Sequence, residues 1–297
     1  MNQVQYVAQP GILANETHFA RYLSFQLTNQ AHIKTCLLSL QEMADGEAIV
    51  VGIGLSMAKA LDCQIEGLEQ MNADSVAMID VPSTPAALWI WLRGDDRGEL
   101  FHRSRQLEIM LELAFELTDV SDSFQYDSTR DLSGYIDGTE NPTGEEAVNI
   151  AMATDKNEGI EGSSFVVVQQ WLHDFDTLDA MTEVEKDDSI GRHIKDNEEF
   201  DSAPESAHVK RAAQESFEPE AFLLRRSMPW VDGMSGGLMF VAFAKSFSAF
   251  EAILSRMLGK EDAIQDGLFN FTKPVSGAYY WCPPMKKGKL NLKQLGL

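Results

Sequence analysis

GLMFVAFAKSFSAFEAILSRML, Gly237–Leu258, sets an apolar strand directly before an amphipathic helix. Gly237–Ala244 is an apolar run of strand length, and Phe247–Leu258 after it reads as a helix. The same grammar stands earlier in the chain. ALWIWL (Ala87–Leu92) reads as a strand, and in the helix expected over Glu99–Leu117 the residues Leu100, Leu107, Met110, Leu111 and Ala114 recur at helical spacing. Side by side, the two strand-plus-helix units look like corresponding pieces of two halves, without a residue-level repeat that would prove duplication.

Around them, Tyr22–Leu27 alternates like a half-buried strand and Gln30–Met43 reads as a helix. Ala48–Ile53 is a continuous apolar run, the mark of a strand covered on both faces. Ser164–Trp171 and Phe222–Arg225 are further strands, and His173–Met181 is a short helix. Between the halves, Asp127–Gly162 is rich in Gly, Asp, Asn, Thr and Pro and reads as a long ordered loop, of the kind that is often functional. Most of the acidic run Asp174–Glu205 reads as solvated surface.

The chain has 297 residues, 44% hydrophobic and 24% charged, enough to bury a sizeable core and unlike a chain disordered throughout. Lys and Arg number 24 against 46 Asp and Glu, a net charge of −22 that disfavours nucleic acid and anionic membranes as partners. Cys36, Cys63 and Cys282 are widely spaced with no CxxC pair, which fits a reducing compartment. The first residues lack a basic segment followed by an apolar one, and no stretch approaches the roughly 20 apolar residues of a membrane span. The expectation is a soluble cytoplasmic protein.

Val51–Leu61 (VGIGLSMAKAL) offers Gly-x-Gly between a strand and a helix but lacks the third glycine of a dinucleotide site, so it reads as a tight turn. Three other segments carry more. GYIDGTENP (Gly134–Pro142) sets Asp137 in a turn-rich loop beside a glycine, where a partly buried carboxylate held ionised by a cation can accept protons. His208, in ESAHVKR, has no neighbour at zinc-ligand spacing, yet a single imidazole suffices for haem iron, where the porphyrin supplies four donors. FLLRRSMPW (Phe222–Trp230) ends a strand with Arg225 and Arg226, of which strand alternation lets only one point inward.

Together with QPGIL near the start, GGLMFVAFA and FTKPVSGAYYWCPP, these three pieces resemble the dye-decolorizing peroxidases, and most closely the bacterial B-type. The resemblance spans nearly the whole chain. It implies an α+β fold of two ferredoxin-like halves in the dimeric α/β-barrel superfamily, with antiparallel sheets and packed helices: residues 1–130, a connecting loop 131–163 carrying the GxxDG motif, and a haem-binding half 164–297. It implies a haem b cofactor (iron protoporphyrin IX), with H2O2 reduced through an oxoferryl state and dyes or phenolics oxidised in one-electron steps. The alternative is a haem-binding or porphyrin-modifying protein without peroxidase turnover.

Carried onto this chain, the resemblance makes His208 the proximal iron ligand, Asp137 the distal acid/base and Arg225 the distal arginine. Arg225 is preferred over Arg226 because Arg225, Ser227 and Pro229 match the frame R-x-[SN]-x-P; Ser227 stands where many relatives carry Asn. Asp266 is the candidate partner of the proximal His, and Arg192 a candidate for a haem propionate. Leu238, Phe240 and Phe247 are candidates for the pocket wall. Tyr126, Tyr135, Trp171, Trp230, Tyr279 and Tyr280 are the aromatics available to relay electrons. The partners expected are H2O2, a small aromatic reductant and further copies of the chain. The tail GKLNLKQLGL (Gly288–Leu297) suggests core packing over docking on an encapsulating shell.

Overall fold

The computed structural model describes residues 7–76, 79–154, 157 and 159–297. Eight of its strands, all paired antiparallel, close into a barrel: β1 (Phe19–Leu27), β2 (Ile49–Ile53), β3 (Leu88–Gly94), β4 (Phe115–Phe124), β5 (Ser164–His173), β6 (Met228–Asp232), β7 (Ser235–Ala244) and β8 (Ala278–Cys282). Round the barrel the order is β2-β3-β1-β4-β6-β7-β5-β8, returning to β2. Each half therefore carries its four strands in the same ferredoxin-like order, its first strand between its third and its fourth. The seams between halves are thin, one register pair each: Ile53 opposite Trp281, and Ser123 opposite Trp230.

Strand alternation sorts the side chains into two layers. Inside the barrel, Tyr22, Trp89, Trp91, Phe243 and Tyr280 pack as a ring system, with Trp89 and Tyr280 stacked at 5.8 Å and Trp91 and Phe243 at 6.0 Å. Burying such rings contributes about 2–3 kcal/mol each. Outside it, helices α1 (Ile33–Met43), α2 (Arg97–Leu111) and α3 (Ser248–Met257) cover the sheet. In the N-terminal half Leu37, Leu40, Leu107 and Leu111 fill the layer between helices and sheet. In the C-terminal half that layer encloses a cavity, bounded by Trp171, Leu238 and Phe240 from the sheet and Phe250, Ile253 and Met257 from α3.

The two-half reading holds, and several element bounds differ from expectation. The Asp96 side chain caps α2 by accepting from Glu99 N–H at 2.9 Å, and the helix ends at Leu111 instead of running to Leu117. Ala114 and Leu117 keep helical spacing by coincidence; Phe115 and Leu117 alternate with Glu116 and Thr118 as residues of β4. The strand expected over Phe222–Arg225 is two residues, Leu224–Arg225. The long loop Asp127–Gly162 contains a helix, Gly144–Ala151; its positions 155, 156 and 158 lie outside the described residues. Within the acidic run, Asp187 on the helix Glu183–Ile190 is buried, because it accepts from the Tyr135 hydroxyl at 2.6 Å and faces His193 at 2.8 Å.

The Gly-x-Gly segment is a structural turn. A Cβ on Gly54 would sit 1.9 Å from the Ala86 carbonyl oxygen, so the glycine is there for close backbone approach. The tail packs on the core: Lys289–Leu290 pairs with Met285–Lys286, and Leu290, Leu292 and Leu295 are buried. No helix among the described residues is long and apolar enough to cross a membrane.

Candidate functional site

The three segments singled out in the sequence converge on the cavity beneath α3. His208 opens a one-turn helix, His208–Arg211, and its side chain lines the cavity. Its Nδ1 lies 2.8 Å from Oδ2 of Asp266, whose side chain is wholly buried. The other Asp266 oxygen accepts from Leu268 N–H at 2.8 Å, so the carboxylate is fixed by the start of the short helix Gly267–Asn270. An ionised carboxylate only accepts, which places a proton on Nδ1 and leaves Nε2 as a free lone-pair donor. Nε2 has no hydrogen-bond partner among the described residues.

Asp137 and Arg225 line the same cavity. The Asp137 loop is built by short-range main-chain bonds: Asp137 N–H donates to Thr129 O at 2.9 Å and Gly134 N–H to Asp131 O at 2.9 Å. Gly134 and Gly138 adopt left-handed φ of 94° and 81°, the conformation glycine supplies without strain. Burial pushes the Asp137 carboxyl above its usual range; Arg225 opposes that and nearby Asp131 adds to it. The carboxylate and the guanidinium do not form an ion pair at contact distance, so their coupling acts through space.

Strand alternation separates the two arginines as expected. Arg226 points to the N-terminal segment: Nε donates to Ile12 O at 3.0 Å, one terminal nitrogen to Leu13 O at 3.4 Å, and the other faces Glu16 at 3.5 Å. Arg225 is half-buried, its Nε is enclosed without a partner, and its guanidinium makes no hydrogen bond or ion pair among the described residues. Its main chain is held by Asn141, a residue of the same GYIDGTENP segment that the sequence analysis does not single out. The signal was present, since a side-chain amide can serve both a donor and an acceptor of another strand's backbone.

The remaining expected residues fall at the margins. Arg192 borders the outer mouth of the site, a cleft it shares with His208, Asp137 and Arg225, and its guanidinium meets Glu199 and, at 3.3 Å, Glu140. Ser227 faces a second cleft behind Asp137 and Arg225, and its Oγ accepts from Val241 N–H at 3.3 Å. Leu238 and Phe240 do line the main cavity; Phe247 instead stacks on Tyr279 at 3.9 Å.

The residues present fit a flat, largely apolar macrocycle carrying a metal. Aromatic and aliphatic walls supply the slot, and one imidazole nitrogen backed by a buried carboxylate supplies a fifth donor. Among the described residues no group of three or more His, Cys, Asp or Glu could hold a metal ion by itself, so a metal bound through His208 needs the rest of its donors from a cofactor.

Comparison with known proteins gives the same answer. Residues 128–287 match the family model described as Dyp-type peroxidase, C-terminal. A dye-decolorizing peroxidase of Rhodococcus erythropolis is 29% identical over 262 residues, covering 81% of this chain and 73% of the relative. A Dyp-type peroxidase structure from Shewanella oneidensis superposes with a TM-score of 0.87 at 26% identity, covering 98% of each chain. A variant of a Rhodococcus jostii protein, solved in complex with haem, superposes with a TM-score of 0.81 at 24% identity, covering 92% of this chain and 94% of that one. With its cavity and its motif inside the matched region and its fold shared with the superposed structures, this chain belongs to the Dyp-type peroxidase family and is a haem peroxidase.

Proposed function

We propose that His208 would hold the haem iron through Nε2, that Asp137 is the acid/base of the peroxide step, and that Arg225 is its electrostatic partner. The observation that carries this assignment is the unpaired Arg225 guanidinium, facing the same cavity as a half-buried carboxylate and a lone imidazole nitrogen. An arginine left without a counterion at the edge of an apolar pocket is costly unless a ligand completes it.

When bound, the haem supplies the iron that receives peroxide and the electrons that break its O–O bond. The chain's own groups do the rest. Asp137 takes a proton from neutral H2O2 and returns it to the outer oxygen, which leaves as water. Arg225, protonated at any working pH, stabilises the negative charge that builds as the bond stretches. Asp266 holds the Nδ1 proton of His208, fixing the ring and raising the donor strength of Nε2. The apolar walls exclude water from the reacting oxygens. The overall reduction, H2O2 with two protons and two electrons giving two waters, draws its electrons from two molecules of a small aromatic reductant, one from each.

In this reading Arg192 is the partner of a haem propionate, which would compete with Glu140 and Glu199 for the guanidinium. Ser227 acts indirectly, by holding the Arg225 strand against Val241. The free thiols of Cys36, Cys63 and Cys282 support a reducing compartment such as the cytoplasm.

The test is the absorption spectrum of the purified protein and of His208→Ala. A Soret band that changes within seconds of adding peroxide, and is lost in the variant, is the expected result. An unaltered band and undiminished H2O2 consumption in the variant would overturn the assignment. A stable Soret band in the wild type would point to a haem carrier.

A further inference from the structure

A buried titratable pair, His173 and Asp131, borders the same cavity and has no part in the roles assigned above. His173 ends β5 with its side chain only 3% exposed. Its Nε2 lies 2.9 and 3.0 Å from the two Asp131 oxygens, and its Nδ1 lies 2.7 Å from the Thr272 hydroxyl. The edges of Phe175 and Phe271 enclose the ring. Asp131 stands six residues before Asp137 in the same folded-back loop, and its N–H donates to Tyr135 O at 2.8 Å. Burial acts to raise the Asp131 carboxyl, but hydrogen bonds and charge from His173, with the hydrogen bonds from Ser133, outweigh it and hold the group low.

An ionised Asp131 only accepts, so Nε2 carries a proton and donates it. The Thr272 Oγ1, which also lies 3.2 Å from Leu172 O, meets the ring at Nδ1, so both ring nitrogens have a partner.

We propose that His173 is a positioning residue, which anchors the Asp137 loop to the barrel by holding Asp131 and, by covering the charge of that carboxylate, moderates its action on Asp137. The proposal rests on the reading of Asp137 as the acid/base. The charged groups around the pair are few. Asp131 contacts the ring; Asp137, Arg225 and His208 stand on the cavity walls; and Asp174, Asp176, Asp179 and Lys273 line an outer cleft that His173 also borders.

Stopped-flow rates of the peroxide step against pH test the proposal. His173→Gln leaves the Asp131 charge uncovered and is expected to move the acid limb up by roughly half a pH unit or more, while Asp131→Asn is expected to move it down. A merely structural role would slow both variants with the limb unmoved, and that result overturns the proposal. If instead the wild type shows no acid limb, or Asp137→Asn keeps it, the reading of Asp137 fails, while a loss of stability in His173→Gln, read by urea titration, still reports on the anchor.

Discussion

Asn141 holds Arg225 by its main chain. Its Oδ1 accepts from Arg225 N–H and its Nδ2 donates to Arg225 O, both at 2.9 Å. The residue four places after Asp137 thus fixes the strand end that carries the guanidinium, so one side chain ties the Asp137 loop to the arginine. Asn141→Ala removes both bonds, each contributing about 1 kcal/mol. With Arg225 free to drift, the peroxide step is expected to slow on the order of 10-fold while the Soret band is retained. Asn141→Asp keeps the acceptor and loses the donor, and should fall between. Stopped-flow rates at saturating haem content decide it; an unaltered rate in Asn141→Ala would mean that the clamp does not position the guanidinium.

The two adjacent arginines should separate function from stability. Arg226 is buried, and its guanidinium serves the carbonyls of Ile12, Leu13 and Arg225 beside Glu16. Arg226→Leu strands those acceptors and is expected to lower unfolding stability by about 2–3 kcal/mol, read by urea titration. Arg225→Leu leaves no partner unsatisfied, so its expected outcome is unchanged stability with a loss of 10²-fold or more in the peroxide rate. The reverse pattern would assign the functional role to the wrong residue.

Asp266 is expected to act through the imidazole. Asp266→Asn keeps a hydrogen-bond acceptor for Nδ1–H but removes the charge, weakening Nε2 as a donor and raising the haem reduction potential in spectroelectrochemical titration. Haem retention should weaken roughly 10- to 100-fold. Asp266→Ala also uncaps Leu268 N–H, adding a stability loss of about 1 kcal/mol that the Asn variant should not show. A potential unchanged in both would mean that the 2.8 Å contact does not tune the ligand.

The sequence was most legible where one physical rule acted alone. Adjacent residues on a strand point oppositely, and Arg225 and Arg226 do so. The apolar runs Ile49–Ile53 and Ser235–Ala244 form strands because both faces are covered. Three barrel strands went unread. Phe115–Phe124 buries Ser121 and Ser123 and exposes Val120, which hides its period, Met228–Asp232 contains a proline, and Ala278–Cys282 is short and uniformly buried. In the site, His208, Asp137 and Arg225 came from motifs, and Asp266 from a likeness. Asn141, His173 and Asp131 did not, because their roles depend on partners 84, 99 and 42 residues away in sequence, a pairing that only the folded barrel creates.

Asp137 should show the conflict between function and stability. Its carboxyl is raised chiefly by burial, so the folded protein binds this proton more tightly than the unfolded chain does. Its contribution to stability is therefore full below the unfolded pKa and is lost as pH rises through the raised folded value. At neutral pH the ionised carboxylate stands in a site that disfavours it. Asp137→Asn removes that charge while keeping the shape, and is expected to raise Tm at neutral pH, with the gain shrinking to nothing in acid. The same substitution is expected to abolish the acid limb of the peroxide step, since no proton acceptor remains to titrate. Thermal melts of wild type and variant across pH, read beside the rate profiles, test both halves. A variant no more stable at neutral pH than in acid, relative to wild type, would show that the Arg225 field already offsets the burial of this carboxylate.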